Sequence, residues 1–226
     1  MFSIETGGHD HPVFARLWSL VSDNAAIKRA RDELLDGLSG RVLEVGAGDG
    51  RSFAHYPRTV TEVVAVEPEP YLRARAVEAA LHAPVRVTVT AGAAERLPLP
   101  DAAFDAAVTS LVLCSVADQA AALAELRRVL VAGGELRFLE HVAAANAAVR
   151  HSQLLLDRTG IWPRLGAGCH LARDTVGAMA AAGFRVERVR AAEVGLVARA
   201  VPFLIGRAYS PAASEPQAGM EPRADG

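Results

Sequence analysis

The sequence predicts an α/β fold in which helices cover both faces of a doubly wound, mostly parallel β-sheet. From Arg41 onward, short apolar runs alternate with longer segments of helical periodicity, the pattern of βαβ units. Several of these runs are apolar almost throughout, which is typical of strands buried on both faces. The chain has 226 residues, which suits one domain with a substantial core.

Seven segments have the composition of strands and four have helical periodicity. The strand candidates are 41–45, 61–67, 85–90, 104–112, 134–142, 184–190 and 199–210. The helix candidates are 51–57, 70–82, 117–130 and 173–184. In the last helix Asp174 suits the N-cap and Gly183 the stop. Because proline cannot donate to a sheet ladder, Pro202 predicts an edge position or a bulge in the final strand.

The chain divides into an N-terminal helical segment (1–40), a folded domain (41–209) and a tail (210–226). The first segment predicts one or two amphipathic helices, which could close as a lid over the carboxyl ends of the strands. Plain packing of its apolar side chains explains the same pattern; these are Phe14, Leu17, Trp18 and Val21. The tail is rich in Pro, Gly, Ala and charge, so we expect it to be disordered.

The composition argues against several classes of function. A formal net charge of -2, from 24 basic and 26 acidic residues, gives no electrostatic basis for nucleic-acid binding. Cys114 and Cys169 lie far apart and lack metal-ligand spacing, so we expect no metal and a reducing, cytoplasmic location. We find no apolar run long enough to cross a bilayer and predict no transmembrane segment. Peripheral membrane contact and the oligomeric state stay open.

The stretch RVLEVGAGDGRSF (41–53) carries three alternating glycines between a strand and the next element. Dinucleotide-binding turns need a third glycine where this chain has Arg51, and a P-loop needs a lysine. Glu44 precedes the first glycine by two positions, where its charge would repel a pyrophosphate and attract an ammonium group. The turn therefore favours S-adenosylmethionine, which carries an ammonium group and a sulfonium.

A second acidic residue, Glu67, closes the second predicted strand. A carboxylate at this position can accept two hydrogen bonds from ribose hydroxyls. Pro68 offers an apolar face to an adenine. Each carboxylate alone would also suit a helix cap or a solvated surface, but the pair flanking the glycines favours a nucleoside site.

These motifs resemble those of the class I S-adenosylmethionine-dependent methyltransferases, and the resemblance covers about 11–209. It implies a Rossmann-like methyltransferase fold with a seven-stranded sheet whose last strand is antiparallel. The segments LVLCSV (111–116), LEHV (139–142) and GCHLARDT (168–175) are similar to a subgroup that methylates alkyl thiols.

The resemblance also implies roles for individual residues of the predicted S-adenosylmethionine-binding methyltransferase domain. Those at the methionine end of the cofactor are Glu44, Gly46, Ala47 and Gly48; those near the ribose and adenine are Glu67, Pro68, Gly92, Ala93 and Ala94; those near the methyl group are Ser110 and Leu111. Family members often have an acidic residue at the Ala93 position. Backbone atoms or Glu95 would have to replace it as acceptor for the adenine amino group.

Methyl transfer is an in-line displacement, so positioning and water exclusion come first. A thiolate acceptor needs little more, whereas an alcohol, phenol or amine usually needs a base. His141, at the end of the fifth predicted strand, is our catalytic candidate, although it could instead donate to a backbone carbonyl. Other histidines are His170 and His55, the latter beside Tyr56; Cys114 suits the core or the cleft wall, and Arg173 an anionic substrate or a helix surface.

The sequence thus predicts an enzyme that methylates a small molecule, with a thiol as first choice. The alternatives within the class are O-, N- or C-methylation of a metabolite, quinone or lipid headgroup. Two alternatives lie outside it: a non-catalytic protein that binds S-adenosylmethionine and, less in keeping with the turn, an NAD-dependent oxidoreductase.

Overall fold

The computed structural model describes residues 25–165, 168–192 and 201–212. The described chain contains a seven-stranded sheet with the order β3-β2-β1-β4-β5-β7-β6. The strands are β1 (Gly40–Val45), β2 (Val60–Val66), β3 (Val87–Thr90), β4 (Phe104–Ser110), β5 (Leu130–His141), β6 (Arg185–Ala192) and β7 (Phe203–Tyr209). The predicted doubly wound α/β class is confirmed.

The described ranges contain six helices and one short 3₁₀ turn, which lie before and between the strands. The helices are α1 (Ala25–Leu35), α2 (Pro70–Ala80), α3 (Gln119–Val129), α4 (Ala147–Arg158), α5 (Ile161–Leu165) and α6 (Thr175–Ala181). Side-chain caps fix where several of them begin. The Asp118 carboxylate accepts the Ala121 N–H at 3.0 Å at the start of α3, and Asp174 caps α6 as the sequence predicts.

β1 to β5 run parallel, and β7 runs antiparallel to both of its neighbours. β7 follows β6 in the chain but lies between β5 and β6 in the sheet. The predicted antiparallel last strand is therefore confirmed. The expectation that Pro202 marks an edge position or a bulge in that strand is wrong, because Pro202 directly precedes an interior strand; the irregularity lies between Glu187 and Arg190 of β6.

Two apolar clusters lie on opposite faces of the sheet. One contains Leu43 of β1 and Phe138 of β5 and packs against α3 and α6. The other contains Val42 and Leu139 of the same two strands and packs against α1, α2 and the 3₁₀ turn. Because side chains alternate along a strand, Glu44 and His141 project from the face shared by Val42 and Leu139.

Three local expectations need correction. The helix predicted over 51–57 is only a 3₁₀ turn, Phe53–His55. The fourth strand ends at Ser110 rather than at residue 112, because Leu111 adopts a left-handed backbone conformation with φ of 62°. Two helices, α4 and α5, occupy a region in which the sequence predicts no element.

Some expectations fall outside the described residues. These concern the amphipathic pattern up to residue 24, residues 199 and 200 of the last predicted strand, and the tail from residue 213 onward. In the described ranges, no helix combines the length and the apolar content that a membrane crossing requires.

Candidate active site

The glycine turn after β1 is tied to the neighbouring strand by its backbone. The N–H groups of Gly46 and Ala47 both donate to the Val66 carbonyl, at 2.8 and 3.2 Å. Gly46 has φ of 67°, and a Cβ there would lie 2.4 Å from the Val112 side chain. Gly48 has φ of 58°, yet a Cβ there would meet nothing within 4 Å. The turn therefore packs on one side and faces open space at Gly48.

Glu67 closes one side of this open space. Its side chain is buried, and each carboxylate oxygen accepts one backbone N–H: from Gly48 at 2.8 Å and from Glu69 at 3.0 Å. Burial raises the pKa of Glu67 above its ordinary value, and the two backbone N–H groups oppose that rise. An ionised carboxylate has about four acceptor positions, so two remain available here.

The Glu44 side chain is buried beneath the turn. The Tyr56 hydroxyl donates to its carboxylate at 2.9 Å. Burial raises the pKa of Glu44 to about 7, although hydrogen bonds from Tyr56 and Ser52 pull the other way. Burial raises the pKa of Tyr56 well above its usual value as well, and the neighbouring carboxylate adds to this. The pair can therefore exist with Glu44 neutral or ionised near neutral pH.

The predicted adenine region lies at the ends of β2 and β3. Pro68 and Ala93 are exposed, and Ala94 is buried. Ala93 pairs with Arg96 in an isolated antiparallel bridge, so its segment forms a tight turn. The exposed proline ring and the Ala93 methyl group offer apolar surface but no side-chain acceptor.

Glu95, the alternative acceptor in this region, already binds backbone. Its carboxylate accepts the N–H of Ala117 at 2.8 Å and that of Asp118 at 3.4 Å. These groups precede α3, so Glu95 anchors the start of that helix.

Ser110 and Leu111 end β4 beside the glycine turn. Ser110 is half-buried. The Leu111 N–H donates to the Leu139 carbonyl of β5 at 2.8 Å, and the Ser115 hydroxyl donates to the Leu111 carbonyl at 3.0 Å. These bonds hold the left-handed residue in place at the point where the chain leaves the sheet.

A fully buried carboxylate, that of Glu140, organises the turn after β4. One of its oxygens accepts the N–H groups of Val112 and Leu113 at 3.2 and 3.1 Å, and the other accepts that of Cys114 at 3.2 Å. Burial raises the pKa of Glu140, and the three backbone donors oppose that rise. Glu140 thus joins the ends of β4 and β5.

His141, the predicted catalytic residue, lies next to Glu140 on the opposite face of the sheet. The residue is 2% exposed, and its Nδ1 lies 3.3 Å from the Cys169 sulfur. The Phe203 ring packs beside it, with 5.4 Å between centroids. Among the described residues, the buried Nε2 has no hydrogen-bond partner.

Cys169 brings a distant segment to this edge of the sheet. The N–H of His170 donates to the Cys114 carbonyl at 2.8 Å, which places the two cysteine segments side by side. A hydrogen bond from the Cys114 thiol, together with His141, lowers the pKa of Cys169 to about 5. The same hydrogen bond and burial raise the pKa of Cys114 well above its usual value. Both shifts favour Cys169 as the acceptor and Cys114 as the donor of the hydrogen bond between them.

The remaining polar candidates have local partners. His55 pairs through Nδ1 with Asp32 of α1. Arg173 donates to the Leu113 carbonyl at 2.8 Å, and burial lowers its pKa. Arg173 thus supports the turn that Glu140 also holds, and His170 enters the site through its backbone.

A surface cleft of about 950 Å³ lies between α3 and α6. None of the predicted site residues lines it, so it is separate from the carboxyl edge of the sheet.

The structure brings the predicted residues into two neighbouring groups along one edge. The first surrounds the glycine turn and the second surrounds His141. Sequence reasoning missed three partners: the Tyr56 hydroxyl on Glu44, the backbone-binding role of Glu140, and Cys169 as the partner of His141. Only Cys169 had a usable signal, since it lies in GCHLARDT, the segment similar to thiol-methylating proteins.

Comparison with protein families places these features in context. The family model described as "Methyltransferase domain" matches residues 43–138. The chain is 34% identical over 174 residues to thiol S-methyltransferase TMT1B of Mus musculus, covering 75% of this chain and 68% of the relative. It is 32% identical over 177 residues to the ubiquinone/menaquinone biosynthesis C-methyltransferase UbiE of Syntrophotalea carbinolica, covering 74% of each.

Across the thiol methyltransferase relatives of mouse, human and rat, the chain spans 59 to 68% of their length. Among solved structures, geranyl diphosphate C-methyltransferase of Streptomyces coelicolor has a TM-score of 0.66 at 15% identity, with 90% of this chain and 86% of that chain covered. That likeness is one of fold.

Proposed function

Because the chain belongs to the class I S-adenosylmethionine-dependent methyltransferases and uses S-adenosylmethionine as its cofactor, we propose that it methylates the sulfur of a small thiol. The observation that carries the thiol acceptor is the 34% identity with mouse thiol S-methyltransferase TMT1B. We place this activity in the cytoplasm.

Bound S-adenosylmethionine supplies an electrophilic methyl group on a sulfonium. The residues of the first group fit this cofactor. The two acceptor positions left on Glu67 suit a pair of ribose hydroxyls, and the open space at Gly48 admits a ligand close to the backbone. We propose that Gly46, Ala47 and Gly48 line the methionine end of the cofactor and that ionised Glu44 compensates its ammonium charge.

We assign the adenine to the surface between Pro68 and the Ala93–Ala94 turn. With Ala93 in place of an acidic residue and Glu95 bound to backbone, adenine is held by apolar contact and backbone groups. We propose that Ser110 and Leu111, at the end of β4, lie near the transferable methyl group.

The second group of residues suits the acceptor. Within the part of the chain that the structure describes, Nε2 of His141 is buried without a hydrogen-bond partner, at the edge of the sheet where ligands bind. We propose that this nitrogen removes the proton of the acceptor thiol, since the thiolate is the nucleophile.

C-methylation of a quinone-like ring is the second candidate. It is supported by the 32% identity with UbiE over 74% of that protein. A carbon nucleophile also needs a base, so His141 would fit either reaction, and only the acceptor distinguishes the two.

The test is a panel of alkyl thiols, aromatic thiols, phenols, amines and quinols, with methylated products identified by mass spectrometry. Glu67→Gln serves as the cofactor-site variant and Glu78→Gln, an exposed position on α2, as its control. Replacing the charged acceptor should weaken S-adenosylmethionine binding by about ten- to a hundredfold in calorimetry. The control variant should bind like wild type.

Thiol turnover that fails in Glu67→Gln at limiting cofactor supports the proposal. Turnover of quinols alone supports C-methylation. Tight cofactor binding without any turnover indicates a binding protein, and equal affinity of Glu67→Gln and wild type would remove the assignment of the ribose site.

A further inference from the structure

We propose that Cys169 is a positioning residue for thiol methylation: its sulfur holds a proton on Nδ1 of His141, which leaves Nε2 free to take the proton of the acceptor thiol. This inference rests on the proposed function, and it deepens it by naming the group that sets up the base. Its chemistry resembles that of an acidic residue behind a catalytic imidazole, with a sulfur in place of the carboxylate.

The two nitrogens of the His141 imidazole differ in their contacts. The Nδ1···Sγ distance of 3.3 Å is within hydrogen-bonding range for sulfur, and His141 is 2% exposed. One nitrogen is therefore engaged, and the other, Nε2, is buried without a partner among the described residues. An unsatisfied buried polar atom costs free energy, so a ligand that hydrogen-bonds to Nε2 would gain from it.

The environment of Cys169 favours a negative charge on its sulfur. The Cys114 thiol donates to the Cys169 sulfur, and this bond is the largest influence that lowers the pKa of Cys169. Because the pKa of Cys114 is raised, Cys114 keeps its proton and stays the donor. A thiolate at Cys169 can only accept, so Nδ1 must carry the proton and Nε2 must be bare in the neutral imidazole.

Contacts from neighbouring segments hold Cys169 and His141 in place. The Asp157 carboxylate accepts the N–H groups of Leu171 and Ala172, both at 2.9 Å, and so fixes the segment that carries Cys169. The Phe203 ring packs against the imidazole from β7. The other charges near the cysteine pair are the Arg173 guanidinium, which interacts with both cysteines, and the Glu140 carboxylate, which interacts with Cys114; Asp157 interacts with Arg173.

The His141 side chain points to the face of the sheet that carries the proposed cofactor residues. Strand alternation projects its side chain to the same face as Glu44, which we assign to the cofactor site. The imidazole thus shares both the face and the carboxyl edge with the proposed cofactor residues. That is where an acceptor must sit for in-line attack.

The proton and electron changes balance without an oxidant. The acceptor thiol gives its proton to Nε2, and an electron pair on its sulfur forms the new bond to the methyl carbon. The pair of the broken bond stays on the sulfur of S-adenosylhomocysteine. The imidazolium formed beside the Cys169 thiolate then returns the proton to water, so thiol and sulfonium become thioether, S-adenosylhomocysteine and one proton.

The experiment compares Cys169→Ala, Cys169→Ser and Cys169→Asp in the full chain, with an alkyl thiol and with an aromatic thiol that is already ionised. The Ala and Ser variants remove the anion, and Asp restores it. With the alkyl thiol, kcat should fall roughly 10- to 100-fold in Cys169→Ala and Cys169→Ser and recover at least in part in Cys169→Asp. The ionised thiol should lose less than about threefold, because it needs no base.

The pH profile separates this role from simple packing. In Cys169→Ala the acid limb of kcat/KM should move to lower pH, because the imidazolium loses its neighbouring anion. His141→Gln should abolish the limb for the alkyl thiol, whereas His82→Gln, at an exposed position, should leave it unchanged. Equal losses with both acceptors and an unmoved limb would show that Cys169 only packs.

A readout without cofactor or acceptor tests the pair directly. Iodoacetamide should alkylate Cys169 at pH 6 and leave Cys114 unmodified, as judged by peptide mass spectrometry. The rate at Cys169 should fall in His141→Gln and in Cys114→Ala. If Cys169 at pH 6 is as slow as Cys114, the inference is wrong. If Cys169 reacts as expected but no thiol is methylated, the proposed function fails instead.

Discussion

Glu67 and Glu140 are both buried carboxylates at the carboxyl ends of strands, but their environments differ. Glu67 accepts one backbone N–H on each oxygen, from two places along the chain. Glu140 accepts three from a single turn and is 0% exposed. Glu67 thus keeps about two acceptor positions for the proposed ribose contact, whereas Glu140 spends most of its acceptor positions on the backbone of one turn.

The same contrast extends to the regions around them. The glycine turn, Glu44 and Glu67 come from one continuous stretch of chain. The His141 region is assembled from the ends of β4 and β5 and from the segment that contains Cys169. The arrangement of the glycine-turn region therefore depends mainly on its local sequence, whereas that of the His141 region depends on contacts between distant segments.

The largest expected effect is on stability and concerns Glu140. In Glu140→Ala three buried N–H groups lose their acceptor, so the free energy of unfolding should fall by about 4 kcal/mol. Urea denaturation followed by circular dichroism measures this. Glu187→Ala, which removes an exposed ion pair, should change it by less than about 1 kcal/mol. If the Glu140→Ala midpoint equals that of wild type, Glu140 does not hold the two strands together.

A second effect concerns Glu44 and pH. Because its folded-state pKa is raised from 4.5 to about 7, its stabilising contribution is complete below 4.5 and is lost as pH rises to about 7. The stability of wild type relative to Glu44→Gln should therefore fall by about 3 kcal/mol between pH 4.5 and 8.

Denaturation of both proteins across that pH range provides the measurement. Saturating S-adenosylmethionine should weaken the dependence, because the ammonium group favours ionised Glu44. A difference between the two proteins that stays constant with pH would mean that Glu44 is ionised throughout, and would contradict the effect of burial.

The smallest effect concerns Glu95. Because its carboxylate binds the Ala117 and Asp118 N–H groups, Glu95→Ala should cost about 1 kcal/mol of stability. S-adenosylmethionine affinity should change by less than about threefold, since losing a charged hydrogen bond to the cofactor would cost more. Calorimetry and urea denaturation test both parts. A tenfold loss of affinity at unchanged stability would assign Glu95 to the adenine.

The sheet was predictable because most of its strands are almost continuously apolar, a pattern that survives small errors at the ends. α4 was not predictable for the opposite reason. Its only buried side chain is Gln153, which accepts the Ala144 N–H, while Leu154, Leu155 and Leu156 are each at least 40% exposed. A helix that buries a polar residue and exposes three consecutive leucines does not follow the rule that apolar side chains face the core.

The grouping of Glu44 and Glu67 around the glycine turn was predictable for a related reason. Its charges and glycines lie within one short stretch, so spacing alone places them on one turn. His141 could be placed at a strand end, but its partner could not. Cys169 follows 28 residues later, and only folding brings its sulfur to Nδ1. The role of Glu140 in holding the turn after β4 could not be predicted. Its three partners are backbone N–H groups, which every non-proline residue has, so side-chain identity does not reveal them.

The interior position of β7 has a consequence for synthesis on the ribosome. While residues 203–209 are still in the exit tunnel, β5 has no partner on one side and β6 has none at all. An emerging chain therefore exposes an unpaired strand edge beside the apolar cluster that contains Leu43 and Phe138. Such an edge is prone to pairing with other chains. Slow codons or a chaperone binding site before residue 203 would lengthen or protect that interval.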